Sequence, residues 1–414
     1  VHPQTERPPR PAASPSGALL EEPRARHAVV RRRVEAIDVV RGIVMILMAL
    51  DHTRDFVGNT RISPTDLRTA TTALFFTRWI THLCAPSFFL LAGTGAYLTG
   101  RGRPTGERSR QLLLRGLWLI LLETVILRCL AWQLNFDFKL TMLVVLWALG
   151  WSMIVLAALI HLPIGAIAAF GLSMIAAHNL FDGVRSAHPL WTVLHSPNFI
   201  LQTPERTVFV AYPLVPWIGV MAAGYALGPV WEWSRDRRRR VLARTGLALT
   251  AGFFVLRTMN VYGDPARWTT LATAGRTVLS FLNTTKYPPS LLFLLMTLGP
   301  ALLLLAAFDR DEPAPPALRP ALTIGRVPLF YYMLHAALIH VVAIAICYAR
   351  YGEVHWMFES PSVSAYPITP PPGWGLPLWG IYAVWIGVVA AMYPLCRWFA
   401  GFKARRRDWW LQYL

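Results

Sequence analysis

Residues 34–56 read Val34-Glu35-Ala36-Ile37-Asp38-Val39-Val40-Arg41-Gly42-Ile43-Val44-Met45-Ile46-Leu47-Met48-Ala49-Leu50-Asp51-His52-Thr53-Arg54-Asp55-Phe56. A clean apolar stretch separates two charged clusters. A bilayer core about 30 Å thick needs roughly 20 mostly apolar residues per helix, and this segment is long enough. His52 lies about 16 Å beyond Arg41 at ~1.5 Å per residue, and eleven residues make about three full turns. One helical stripe therefore carries a guanidinium at one end and an imidazole toward the other. The plain alternative is an Asp38–Arg41 ion pair at the interface and a polar helix end at Asp51, His52, Arg54 and Asp55.

Outward from this segment the same composition continues. Of 414 residues, 55% are hydrophobic and only 15% charged, against about 25% charged in a soluble domain. Ten apolar runs are legible: 36–57, 74–98, 111–131, 140–160, 163–181, 207–229, 239–260, 288–308, 320–348 and 375–400. The expected fold is an all-α integral membrane protein of about ten transmembrane helices without a separate soluble domain. Residues 1–30, rich in Pro, Arg, Ala and Ser, read as a disordered cytoplasmic tail with no removable signal peptide. Residues 31–402 form the helical domain and 403–414 a basic cytoplasmic tail.

The net charge of +18 comes from clusters between runs: Arg31 to Arg33, Arg101 to Arg110, Arg235 to Arg240, Arg310 with Arg319, and Lys403 to Arg407. Alternate connections are sparsely basic. By the positive-inside rule both termini are cytoplasmic, and nucleic acid is excluded as a partner. Cys84, Cys129, Cys347 and Cys396 all fall within apolar runs and imply no disulfide. Gly224 and Gly228 form a small-x-x-x-small pair suited to close helix packing.

Ionisable residues at bilayer depth need a partner, a water-filled cavity or a function. Besides the first run, the second carries Arg78 and His82, the third Glu123 and Arg128, the seventh ends in Arg257 and Asn260, and the ninth holds Tyr331, Tyr332, His335 and His340. Several helices thus aim polar groups at one outer-half cavity. His335 and His340, five apart, diverge by about 140° round a helix, which does not suit shared metal ligation; no metal is expected. There is no G-x-S-x-G elbow. A single imidazole acting as general base remains, with Asp51 or Asp55 to orient it. A proton-coupled transporter or exporter would use similar buried ions, and a non-catalytic membrane subunit of a polysaccharide machine is a third reading.

The runs Ile37-Asp38-Val39-Val40-Arg41-Gly42, Asp51-His52-Thr53-Arg54-Asp55-Phe56, Phe89-Leu90-Leu91-Ala92-Gly93, Lys286-Tyr287-Pro288-Pro289-Ser290, Leu298-Gly299-Pro300 and Gly325 to His335 resemble the bacterial relatives of heparan-alpha-glucosaminide N-acetyltransferase. The Arg41 to His52 spacing is also similar to that of acyltransferase-three membrane proteins. The resemblance implies acyl transfer from cytoplasmic acyl-CoA, with acetyl-CoA as expected co-substrate, to a hydroxyl or amine of an extracytoplasmic saccharide, in the inner membrane of a bacterium. The implied partners are membrane lipids, acyl-CoA and a glycan or glycolipid acceptor, with a second copy of the chain as a candidate partner.

On this reading Arg41 binds or gates the donor and His52 is the catalytic histidine. The catalytic histidine of the lysosomal member falls near Thr71 and Thr72, where this chain has none, so His82 is the second candidate. Asp38, Arg78, Glu123, Arg257, Lys286, Arg326, Tyr332, His335 and His340 complete the expected binding set. Arg101, Arg103, Arg108, Arg110, Arg115 and Arg326 offer guanidinium forks for CoA phosphates, although topology alone also explains them. Trp191, Trp268, Trp356 and Trp374 are candidates for stacking on sugars or for an interfacial belt.

Overall fold

A computed structural model describes residues 34–59, 62–406, 408, 410 and 411. The expected N-terminal tail and Arg31 to Arg33 lie outside the described residues. A helix occupies each of the ten apolar runs: α1 (Glu35–Val57), α2 (Thr72–Thr81) with α3 (Cys84–Gly100), α4 (Thr105–Leu121), α5 (Val145–Leu159) and α6 (Ile164–Ala177). After a short α7 (Pro189–Leu194) come α8 (Trp217–Ala226), α9 (Arg235–Met259), the outlying α10 (Ala274–Leu282), α11 (Leu291–Phe308), α12 (Arg319–Gly325) with α13 (Pro328–Tyr351), and α14 (Leu378–Arg405).

Among the described residues, six helical segments are long and apolar enough to cross a membrane: 72–100, 164–181, 235–259, 291–308, 328–351 and 378–405. At about 35 Å, the 23-residue α1 also has the length, but it carries the charges that define the site. The helix α14 runs on to Arg405, into the stretch expected to be tail.

Local chemistry sets the ends. Thr71 Oγ1 accepts the Leu74 amide at 3.2 Å to start α2, and Ser290 Oγ accepts that of Phe293 at 3.0 Å to start α11, each supplying an acceptor to an orphan amide. Gly352, at φ +72°, closes α13. Pro328 splits the ninth run into α12 and α13, since proline cannot donate within a helix.

Two apolar runs begin as strands, so the fold is not purely helical. β1 (Leu140–Leu143), β2 (Asn198–Gln202) and β3 (Thr207–Val210) form a small sheet in the order β1-β3-β2. β1 pairs with β3 in parallel, Leu140 opposite Thr207, and β2 pairs with β3 antiparallel with an irregularity between Phe199 and Leu201. The sixth run therefore retains only the ten-residue α8, about 15 Å long.

Helix α1 is the hub, packing against α2, α3, α11, α12, α13 and α14. Its approach to α12 is backbone to backbone: a Cβ on Gly325 would lie 2.7 Å from the Asp38 carbonyl carbon and 2.9 Å from the Gly42 nitrogen. Gly224 on α8 meets the Leu90 backbone of α3, where a Cβ would come 2.9 Å from the Leu90 Cα, so close packing is what that glycine serves. All four cysteines are buried and free.

Candidate functional site

Beyond Leu121, α4 continues as a π-helical stretch, Leu122–Trp132. The wider turn rotates the chain and brings Glu123, Arg128 and Trp132 to the bundle interior, where each is at most 5% exposed. Trp132 meets His52 edge to face, with ring centroids 4.8 Å apart. Tyr332, from α13, lies 6.2 Å from His52 and 6.5 Å from Trp132.

Two cavities meet here. The first, about 270 Å³, is mostly apolar and includes Arg41, Arg115, Trp118, Leu146, Val145 and Tyr332 in its walls. The second, about 420 Å³, carries the charged groups, with Asp51, His52, Asp55, Arg78, Lys286 and Tyr366 in its walls, again with Val145 and Tyr332. Met142 and Phe209 of the small sheet close one side of it. Val145 and Tyr332 border both spaces, so the Arg41 cavity and the His52 cavity adjoin at that neck.

The state of His52 follows from its neighbours. Its Nδ1 lies 2.8 Å from His335 Nε2, and His335 Nδ1 lies 2.9 Å from the Tyr331 carbonyl. A carbonyl only accepts, so His335 carries its hydrogen on Nδ1 and presents Nε2 as an acceptor. His52 must then donate from Nδ1, which leaves its Nε2 with a free lone pair. With one nitrogen tied back and the other basic, an imidazole is set up to remove a proton.

The hydrogen-bonded partner of the His52 ring is His335, and neither Asp51 nor Asp55, the residues expected to orient it. Asp51 pairs with Arg54 at 2.7 Å, with Arg78, and with Thr81 Oγ1 at 3.1 Å; Asp55 pairs with Arg54 at 2.6 Å. These charges neutralise one another along one wall, while His335 holds the ring. Lys286 sits above the Tyr287 and Tyr212 rings at 5.1 and 5.9 Å. Burial alone would push the Tyr287 phenol up, but the Lys286 ammonium and the Arg78 guanidinium outweigh it and hold it below its ordinary value. Burial, helped by the Glu123 and Asp55 carboxylates, pushes the Tyr366 phenol well above its ordinary value and keeps it a hydrogen-bond donor.

Several expected residues stand elsewhere. His82 caps α2 and packs on Phe293 with centroids 5.2 Å apart, and it lines neither cavity. Arg257 gives its donors to the backbone carbonyls of Ala266, Ser280, Phe281 and Asn283 at 2.8–3.1 Å, clamping the α10 region to α9. His340 is a strut, its two ring nitrogens 3.0 and 2.8 Å from the carbonyls of Ala131 and Met357. Asp38 pairs with Arg41 at 3.2 Å, and Arg326 with Glu35 at 3.3 Å; neither Asp38 nor Arg326 borders a cavity.

Of the arginines offered for CoA phosphates, Arg115 reaches the first cavity, whereas Arg101 pairs with Glu232 and Arg103 with Glu107. The indole nitrogens of Trp268 and Trp374 bond to the carbonyls of Arg257 and Phe56, so those rings are committed to the scaffold. Trp132 and Tyr366 are the site residues not anticipated. Among the described residues no three His, Cys, Asp or Glu side chains gather as a metal-binding group.

The sequence model of a family described as heparan-alpha-glucosaminide N-acetyltransferase, catalytic, matches residues 33–264. That span contains Arg41, Asp51, His52, Arg78, Arg115, Glu123 and Trp132. No curated protein matches the chain.

Proposed function

Because the chain belongs to the heparan-alpha-glucosaminide N-acetyltransferase family, we propose that it is a membrane acetyltransferase that moves an acetyl or short acyl group from cytoplasmic acyl-CoA to a saccharide hydroxyl or amine across the bilayer. The observation that carries this reading is the junction at Tyr332 between the Arg41 cavity and the cavity where His52 presents a free Nε2.

The donor enters from the Arg41 end. The guanidinium groups of Arg41 and Arg115 suit the phosphates of CoA, and the apolar walls of the first cavity suit the pantetheine arm. The thioester then reaches the neck. From the second cavity the acceptor O–H or N–H gives its proton to His52 Nε2 as its heteroatom bonds to the carbonyl carbon. When the tetrahedral adduct collapses, the C–S bond breaks and the CoA thiolate takes the proton back from His52. His335 keeps its hydrogen on Nδ1 throughout and stabilises the imidazolium through Nε2.

The positive-inside pattern supports a cytoplasmic Arg41 end, and a bacterial inner membrane suits such a topology. Detergent-purified protein should bind acetyl-CoA. His52→Ala should keep that binding and lose CoA release in the presence of a glucosamine-terminated acceptor. Failure of the wild type to bind acetyl-CoA contradicts the reading. The Asp51, Arg54, Asp55 and Arg78 cluster would also serve a proton-coupled carrier, and solute movement driven by a pH gradient without CoA would favour that instead.

A further inference from the structure

At the neck, Tyr332 Oη is buried without a hydrogen bond among the described residues, on a residue only 4% exposed. Nearby, Glu123 accepts the Leu146 amide at 2.8 Å, at the wall of the first cavity, and the Trp132 indole N–H is directed at the same carboxylate. Buried polar groups are nearly always paired, and leaving one bare costs stability. A buried hydroxyl without a partner, on a residue that borders both cavities and stands beside the imidazole that removes the proton, has the character of a group waiting for a ligand atom.

We propose that the Tyr332 hydroxyl binds the carbonyl oxygen of the thioester and holds it as an oxyanion during transfer. The inference rests on the acetyl-transfer reading. As the acceptor heteroatom bonds to the carbonyl carbon, the C=O π pair moves onto oxygen, where the Tyr332 hydroxyl meets it; the pair returns as the C–S bond breaks and the thiolate leaves. Donors aimed at where charge develops are worth more in a water-poor site than in water.

The test uses the full-length protein in detergent and two probes that differ in one oxygen: acetyl-CoA and S-ethyl-CoA, which has no carbonyl. The wild type should bind acetyl-CoA about tenfold more tightly than S-ethyl-CoA, the worth of one hydrogen bond. Tyr332→Phe should bind both with the affinity of the S-ethyl compound, and any acetyl transfer measured should fall about 10²–10³-fold. Its melting temperature should be unchanged or higher, because the lost hydroxyl bonds to nothing in the resting protein. A Tyr332→Phe protein that keeps the preference for acetyl-CoA overturns the carbonyl site alone. A wild type that binds neither compound overturns this inference together with the acetyl-transfer reading.

Discussion

His52 Nδ1 lies 2.8 Å from His335 Nε2, and the backbone carbonyl of Tyr331 on the far side of His335 decides which of them carries the shared hydrogen. A pair of histidines thereby does what an aspartate–histidine pair does elsewhere, fixing one tautomer and exposing one lone pair. Because both partners are neutral, no charge has to be buried to orient the His52 ring, which suits the base that the acetyl-transfer proposal requires within a membrane bundle.

This relationship predicts the behaviour of His335 variants. His335→Ala should lower acetyl transfer by about 10²-fold, within the range for losing an oriented general base, while acetyl-CoA binding measured by calorimetry stays within twofold. Loss of donor binding in this variant, with the fold intact, would place His335 on the donor route instead.

The donor end gives a second prediction. Arg41→Ala and Arg115→Ala should each weaken CoA binding by about tenfold, the worth of one charge-assisted contact. Binding of acetyl-pantetheine, which lacks the nucleotide and its phosphates, should not change. Equal losses for both compounds would assign these arginines to the scaffold.

Arg257 should behave as structure only. Arg257→Met leaves four backbone carbonyls without their donor, a loss of about 3 kcal/mol or more, seen as a lower apparent melting temperature in detergent. The acetyl-CoA dissociation constant of the surviving fold should match the wild type. Unchanged melting with abolished binding would contradict the clamp.

The helix α1 and its stripe were legible because the 3.6-residue period fixes which side chains share a face, and Arg41 and His52 do line adjoining spaces. The partner of His52 was not. Asp51 and Asp55 are neighbours in sequence, whereas His335 arrives from a helix 283 residues away. His340 looked like a site residue on the same grounds as His335, yet the carbonyls of Ala131 and Met357 claim both its nitrogens, and backbone acceptors leave no mark in a sequence. The strands at 140–143 and 207–210 were hidden within longer apolar runs, where composition does not separate buried strand from helix. Trp132 went unremarked, because nothing in the sequence announces the π-helical turn that carries it inward.

The contact of α1 with α12 is a further point of test. Gly325→Ala and Gly42→Ala each place a methyl against backbone that cannot yield as a side chain would. Both should cut the yield of folded protein severely, measured by size-exclusion chromatography in detergent. A monodisperse Gly325→Ala protein with wild-type melting would contradict the close approach.

The measurement that bears most directly on the account is an experimental structure of the protein with acetyl-CoA bound. The account predicts the nucleotide phosphates at Arg41 and Arg115, the pantetheine in the first cavity, and the thioester at the neck with its oxygen on Tyr332. The carbonyl carbon should leave room for an acceptor atom within about 3–3.5 Å whose proton faces His52 Nε2. Donor density elsewhere, with Tyr332 and His52 closed off from it by packed apolar side chains, would contradict it.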